Sequence, residues 1–277
     1  YMVLAAGVYA ADSAVFHLFT HAFFKALLFL GAGSVMHAIG GIIDVRQFSG
    51  LRKILPWTCL TFVIGSLALA GFPMTSGFFS KDEILLESLT RGNFIYWSIG
   101  ALAAFFTAFY MFRLLFMTFH GESRVDHHAA EHLHESPKNM TLPLTVLAGL
   151  SFVGGFLGIP GASAINHFLA PVFGEHSHTE ISASEAGVHH SAWLPYLMMV
   201  VSTAIALGGI FLAYHMYIKK PEMPKRLAER FSLIYKLLLN KYYVDEIYDA
   251  LFVNPTKTIS VQLWKCVDAK MIDGSVN

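Results

Sequence analysis

About twenty consecutive apolar residues are enough for a helix to cross the hydrocarbon core of a bilayer. This sequence reaches that length five times, over 13–39, 57–89 with an interruption, 94–119, 141–160 and 192–217. No other feature restricts the fold as severely, because inside hydrocarbon each backbone N–H and C=O must find its partner within the protein, and a helix does this within a single segment. The expectation is an all-α fold, a polytopic transmembrane helix bundle.

Composition agrees. Of 277 residues, 55% are hydrophobic and 14% charged, against about 25% charged in an average soluble domain. Mean hydropathy is +0.53. The formal net charge is zero, so no overall basic or acidic bias argues for nucleic acid or acidic partners. Two cysteines, Cys59 and Cys266, support neither a disulfide framework nor a CxxC metal site. The opening "YMVLAAGVYA" is too short to span and lacks the basic start and cleavage site of a signal peptide. It reads as the continuation of a longer chain.

The first span has Asp12 and Ser13 as expected N-cap residues and Gly40 and Gly41 as its stop. The second, "LALAGFPMTSGFFSKDEILLESL", carries Pro73 and Gly77 within an otherwise continuous crossing. Proline removes a backbone donor and blocks the preceding turn, so a break is expected over 72–76. Non-helical backbone at membrane depth needs protein or a water-filled cavity around it. We therefore expect Met74 to Ser76 to face a hydrated pocket that continues to Lys81, a merely kinked packing helix being the alternative.

Orientation follows from Lys and Arg in the loops. Segments 41–55, 120–140 and 218–241 hold twelve of them and fall on one face if the spans alternate, while the opposite face receives only Arg91. The first face is expected to be cytoplasmic. Residues 1–218 then form the transmembrane domain, and 219–277 a cytoplasmic-side amphipathic segment. In that segment Asn254 can cap a helix with Pro255 at its first position, and Ile259, Leu263, Val267 and Met271 repeat every four residues.

His17, His21 and Lys25 are the residues that most need explaining. A step of four residues turns a helix by about 40°, so the three form one slowly winding stripe roughly 12 Å long. Lys25 lies about twelve residues from either end of its span, roughly 18 Å at 1.5 Å per residue, too far to snorkel. An unpaired charge there costs at least ~2.5–3.5 kcal/mol. Histidine titrates near neutral pH, and a buried lysine exchanges protons once its surroundings disfavour its charge. The stripe therefore reads as a proton relay, with interhelical hydrogen bonding as the alternative.

Lys81 and Asp82 follow the break, with Glu83 and Glu87 one turn apart toward the exit. A broken helix offering a Lys-Asp pair to a cavity is how ion pathways in transporters are built, the alternative being partial snorkelling of Lys81. Arg113, six residues from the end of its span, reads as a snorkelling anchor, and His37 as a helix-end residue. The loops "HGESRVDHHAAEHLHE" and "EHSHTEISASEAGVHH" are rich in histidine without metal-specific spacing, so they read as solvated loops. The sequence contains no GxGxxG, Walker A loop or zinc-protease helix.

At "HLFTHAFFKALLFLGAGSVMHA", "GLRKILP" and "GFPMTSGFFSKDEIL" the sequence resembles the antiporter-like L-type subunits of respiratory complex I, equivalent to chain 5 of the mitochondrial enzyme. The resemblance runs from residue 12 to beyond 250 and is most specific in the first ninety residues. It implies that Lys25 is a central proton-relay lysine reached through His17 and His21. It further implies that Lys81, on a discontinuous helix with Asp82 beside it, serves the outlet path. "YYVDEIYDALFVNP" looks like the start of that family's lateral amphipathic helix, which braces adjacent antiporter-like subunits. A glutamate and a lysine that the family carries on earlier helices do not occur here, so the resemblance is to the C-terminal portion of a pump. The lateral helix reaches Asn277 with no closing transmembrane anchor, which looks like a truncation.

The implied function is proton translocation as a membrane subunit of NADH:quinone oxidoreductase, driven by redox chemistry in other subunits. No cofactor is expected on this chain: NADH, FMN, iron-sulfur clusters and quinone would act elsewhere in the complex. The implied partners are other complex I membrane subunits and the lipid bilayer, without nucleic acid. The implied location is the bacterial inner membrane, or the mitochondrial one in a eukaryote. The alternative is the large subunit of a Mrp-type cation/proton antiporter, against which the family pattern sets Asp82, since many antiporters are expected to have Glu there. A transport-inactive scaffold would leave Lys25 unexplained.

Overall fold

The computed structural model describes residues 1–92, 94–124, 133–159, 163–173 and 193–276, all of them helical or irregular, with no strand among the described residues. The chain divides into two units, Tyr1–Pro221 and Glu222–Asn277.

In the first unit a short α1 (Met2–Gly7) leads into α2 (Ala11–Ala38), α3 (Pro56–Ala70), α4 (Ser76–Glu87) and α5 (Phe94–Phe119). Then come α6 (Lys138–Val153, continued by a tighter turn Gly154–Gly158), α7 (Ala164–Phe173) and α8 (Leu194–Tyr214, continued by a wider turn His215–Lys219). Ala11–Ala38, Phe94–Phe119, Lys138–Gly158 and Leu194–Lys219 are each long and apolar enough to cross a membrane. The remaining apolar run is divided between α3 and α4. α2 packs on α3, α4 and α6, while α5 packs on α3 and α8.

The packing is that of a protein in hydrocarbon. Phe29, Phe106, Val200 and Phe211 point outward, each more than half exposed, while Ser13, Thr20, Ser34, Thr58, Ser66 and Ser80 are buried. Lipid accepts apolar side chains at no cost, and the interior is where the hydroxyls of Thr20, Ser34, Thr58 and Ser80 find partners. A conventional core of Leu28, Leu51, Leu55, Phe62, Leu115 and Phe119 closes one end, where α2, α3 and α5 meet the 39–55 loop.

That same end gathers the basic loops of this unit. Ser49 donates to the Glu122 carbonyl, and Arg124 reaches the Arg46 carbonyl at 3.5 Å. Phe105 lies at Gly208, and further along both helices Phe116 meets Tyr214, so α5 and α8 run parallel and finish at one end.

Several local expectations are corrected. Asp12 and Ser13 do not precede α2 as caps, since the helix begins at Ala11 and both are buried in its first turn. Residues 164–173, which belong to none of the five expected spans, form α7, an apolar helix too short to cross a membrane. In the second unit, described by itself, Glu222–Arg230 and Ser232–Leu239 precede a helical run over 244–276. Asn254 sits inside that run with helical dihedrals (φ −67°, ψ −43°) and caps nothing. A widened turn, Asp249–Val253, lies directly before Asn254 and Pro255. Such a turn lets a helix pass a residue that has no N–H.

Candidate functional site

The break is built over residues 71–77, between the end of α3 and the first turn of α4. Gly71 closes α3 in the left-handed region (φ +78°), and its N–H together with that of Phe72 satisfies the Ala68 and Leu67 carbonyls. Met74 is also left-handed (φ +69°), and Thr75 is extended before α4 starts at Ser76. Gly77 faces the end of α3 so closely that an added Cβ would stand 1.9 Å from the Ala68 oxygen. Two half-helices touch there backbone to backbone, which no other residue allows.

A helix that stops leaves its last carbonyls without partners. One of them, Leu69 O, accepts a 2.8 Å hydrogen bond from Lys81 Nζ. Lys81 is only 4% exposed, so it does not snorkel; it places a cation against the carbonyl end of α3, where the helix dipole favours one. Its Nζ also lies 5.3 Å over the Tyr1 ring.

Lys81 opens onto a cavity of about 370 Å³, room for several waters among polar groups. Its lining includes His17, His21 and Lys25 from α2, Tyr1, Leu69, and Thr107 and Tyr110 from α5. The stripe on α2 and the lysine after the break thus share one chamber. Within it His17 Nδ1 meets Ser80 Oγ at 2.9 Å, and Ser80 Oγ meets Thr20 Oγ1 at 2.8 Å. The His17 and His21 ring centroids are 6.0 Å apart, and His17 lies 5.6 Å from the Tyr1 ring. Lys25 extends along Phe29, with Nζ 4.8 Å from that ring's centroid, and among the described residues it makes no hydrogen bond or ion pair.

Asp82 parts company with Lys81. Adjacent helix residues point about 100° apart, and Asp82, 5% exposed, lines a different cavity of about 200 Å³ with Glu83, Glu87, Asn166 and Met199. The expected Lys-Asp pair facing one cavity is therefore corrected to one residue in each of two. The hydrated pocket also does not run along Met74 to Ser76, because Ser76 and the Thr75 carbonyl pack directly on Gly155. Pro73 and Gly77 make the bend and do not line the chamber.

Arg113 stacks on Tyr217 at 5.5 Å, and His37 is exposed in the last turn of α2. The histidine-rich loops fall largely outside the described residues. Among those described, no group of three His, Cys, Asp or Glu side chains could hold a metal ion. Sequence reasoning passed over Ser80, Thr20, Tyr1, Thr107 and Tyr110. The last two carried a signal, being polar and three residues apart in the otherwise apolar "FFTAFYMF". Leu69 carried none, since it contributes a backbone carbonyl.

Residues 1–107 match the family described as NADH:quinone oxidoreductase/Mrp antiporter, TM. The NAD(P)H-quinone oxidoreductase chain 5 of Picosynechococcus sp. is 42% identical over 304 aligned residues, covering 100% of this chain and 44% of that relative. The NADH-quinone oxidoreductase subunit L of Rhodobacter capsulatus is 36% identical over 339 residues, covering 100% and 48%. Its namesake in Neisseria meningitidis serogroup B is 37% identical over 304 residues, covering 100% and 44%. Among solved structures, the Mrp complex of Dietzia sp. shares the fold at TM-score 0.53 with 22% identity, over 84% of this chain and 25% of the other. The chain spans a little under half the length of the curated relatives it matches.

Proposed function

Because this chain is kin to the antiporter-like subunits of the quinone oxidoreductases, we propose that it is a proton-translocating membrane subunit of an NADH:quinone oxidoreductase. The observation that carries the reading is the single chamber lined by His17, His21, Lys25 and Lys81. Two ammonium groups and two imidazoles around shared water can pass a proton in either direction. Ser80 and Thr20 extend the path as hydroxyls that both donate and accept. Redox work in other subunits would alter the charge at one end, and Lys25 would answer by taking or releasing a proton.

In this reading the chain carries no redox centre, and NADH, FMN, iron-sulfur clusters and quinone act elsewhere in the complex. Its partners are neighbouring membrane subunits, with 244–276 as the lateral element, and it resides in a bacterial inner membrane or its mitochondrial counterpart. The basic end of the bundle is the cytoplasmic one. Lys81, past the break, serves the outlet path, with Asp82 next to it in sequence and lining a separate cavity.

The family match and the Dietzia fold also fit a Mrp-type cation/proton antiporter. Co-purification separates the two: flavin and iron-sulfur subunits accompany the chain in the first case and are missing in the second.

The test of the relay is Lys25→Met in the full-length protein within its assembled complex. Proton translocation in sealed vesicles, normalised to NADH oxidation and to assembled complex, is expected to be abolished or strongly reduced while assembly stays normal. A lysine that only fills space would behave otherwise, because methionine removes a charge at membrane depth and would leave pumping intact or improved.

A further inference from the structure

The half-helix α3 is held by a charged group at each end. Its own N-cap position is Leu55, which has no side-chain oxygen to offer. The acceptor comes from a distant part of the chain, Glu135, just ahead of α6. Glu135 Oε2 accepts the backbone N–H groups of Trp57 at 2.7 Å and Thr58 at 3.3 Å, and Oε1 accepts the Thr58 hydroxyl at 2.6 Å. The same Thr58 hydroxyl lies 2.8 Å from Ser34 Oγ on α2, and Ser34 donates to Ser136 at 2.7 Å. At the opposite end, Leu69 O holds Lys81.

A helix carries roughly half a positive charge at its N-terminus and half a negative one at its C-terminus. A carboxylate at the first and an ammonium at the second are both favourably placed. Between them lie the 15 residues of α3, a rod about 22 Å long. Because the helix ends at the break, its axial position depends on lateral packing and on what grips its two ends. A shift of about 1 Å along the axis would take the Leu69 oxygen out of hydrogen-bonding range of Lys81.

We propose that Glu135 is a positioning residue for Lys81, acting through α3: by gripping the first turn it fixes where the Leu69 carbonyl stands, and so where the ammonium rests in the chamber. The proposal rests on the reading of Lys81 as a relay member. It assigns a part in proton transfer to a carboxylate at the far end of a half-helix, on the loop side of the bundle.

The experiment uses the full-length chain in its assembled complex, with Glu135→Ala and Glu135→Gln, and Lys81→Met as control. The readout is proton translocation per NADH across a pH series, normalised to assembled complex. Glu135→Ala is expected to lower pumping several-fold and to move the alkaline limb of the profile to lower pH, since an ammonium without its acceptor gives up its proton more readily. Glu135→Gln, which keeps an acceptor oxygen, should fall between Ala and wild type. A cap that merely stabilises the fold would reduce the amount of assembled complex and leave pumping per complex and its pH profile unchanged; that result overturns the proposal. If the alanine variant does not assemble, an unshifted glutamine profile overturns it on the same terms. Wild-type pumping by Lys81→Met would defeat the relay reading itself. Loss in Lys81→Met beside wild-type behaviour in the Glu135 variants defeats only the positioning role.

Discussion

Lys25 and Lys81 share a chamber but are held in opposite ways. Lys25 projects from α2, a helix of 28 residues whose backbone groups are consumed by its own turns. Its ammonium is left with the face of Phe29 and the cavity. Lys81 projects from α4, just past a break, and is tied at 2.8 Å to a carbonyl which exists as an acceptor because α3 ends at Ala70. A continuous helix presents a cation without supplying an acceptor for it; an interrupted one supplies the acceptor from its own backbone. The interruption thus does more than bend the chain, because it decides which of the two lysines is anchored and which is left to the water.

The sharpest way to break this contrast is to remove the interruption's tolerance for close approach. Gly77→Ala would drive a Cβ to 1.9 Å from the Ala68 oxygen, whereas a Cβ at Gly33, on the uninterrupted α2, meets nothing within 4 Å. Gly77→Ala should therefore sharply reduce the complex recovered from membranes on native gels, and Gly33→Ala should leave it at wild-type level. Equal recovery of both variants would mean that the half-helices do not meet as described.

A smaller effect is expected at the hydroxyl that joins the two regions. Ser80, on α4, bonds His17 and Thr20, both on α2. Ser80→Ala removes these bonds, worth about 1 kcal/mol each, and leaves water to replace the hydroxyl. Pumping per NADH should fall a few-fold, well short of the loss in Lys25→Met. A null as deep as Lys25→Met would make Ser80 an obligate relay member and redraw the path.

The smallest effect lies outside the chamber. Arg46 donates to Asp44 through its side chain and backbone N–H, and this holds the Asp44 carboxyl down at about 2 against an ordinary 3.8. A depressed acid stabilises the fold fully above its ordinary value and ceases to as pH falls through about 2. Exposed pairs of this kind contribute little. Asp44→Asn should therefore lower the thermal midpoint slightly at pH 6, with the difference from wild type shrinking as pH falls toward 2. A difference that persists undiminished at pH 2 would show that the pair is not its source.

Much of the bundle was legible in the sequence because apolar length is a blunt signal. The runs ending at 39 and 119 needed little beyond counting. The stripe of His17, His21 and Lys25 was legible because helix geometry alone puts residues four apart on one side. What stayed hidden depended on the neighbour brought alongside. The Leu69 carbonyl has no signature in a side-chain alphabet, and neither does Glu135 capping a helix that starts 79 positions earlier. Asp82 was misjudged for a plainer reason: adjacency in sequence was taken for adjacency in space, although neighbouring helix residues face different ways. The Asp12 and Ser13 caps failed because two residues that favour caps can also be buried hydroxyl and carboxyl groups of a first turn.

Proton transfer through the chamber requires that Lys25 release its proton during turnover, and arginine asks that question most directly. Lys25→Arg keeps a cation at the same point of the chamber, but a guanidinium with a pKa above 12 does not let its proton go. The measurement is proton translocation per NADH in sealed vesicles by the assembled Lys25→Arg complex. Normal assembly is expected, with pumping lost as in Lys25→Met. Wild-type translocation by the arginine variant would contradict that requirement and leave Lys25 a fixed charge.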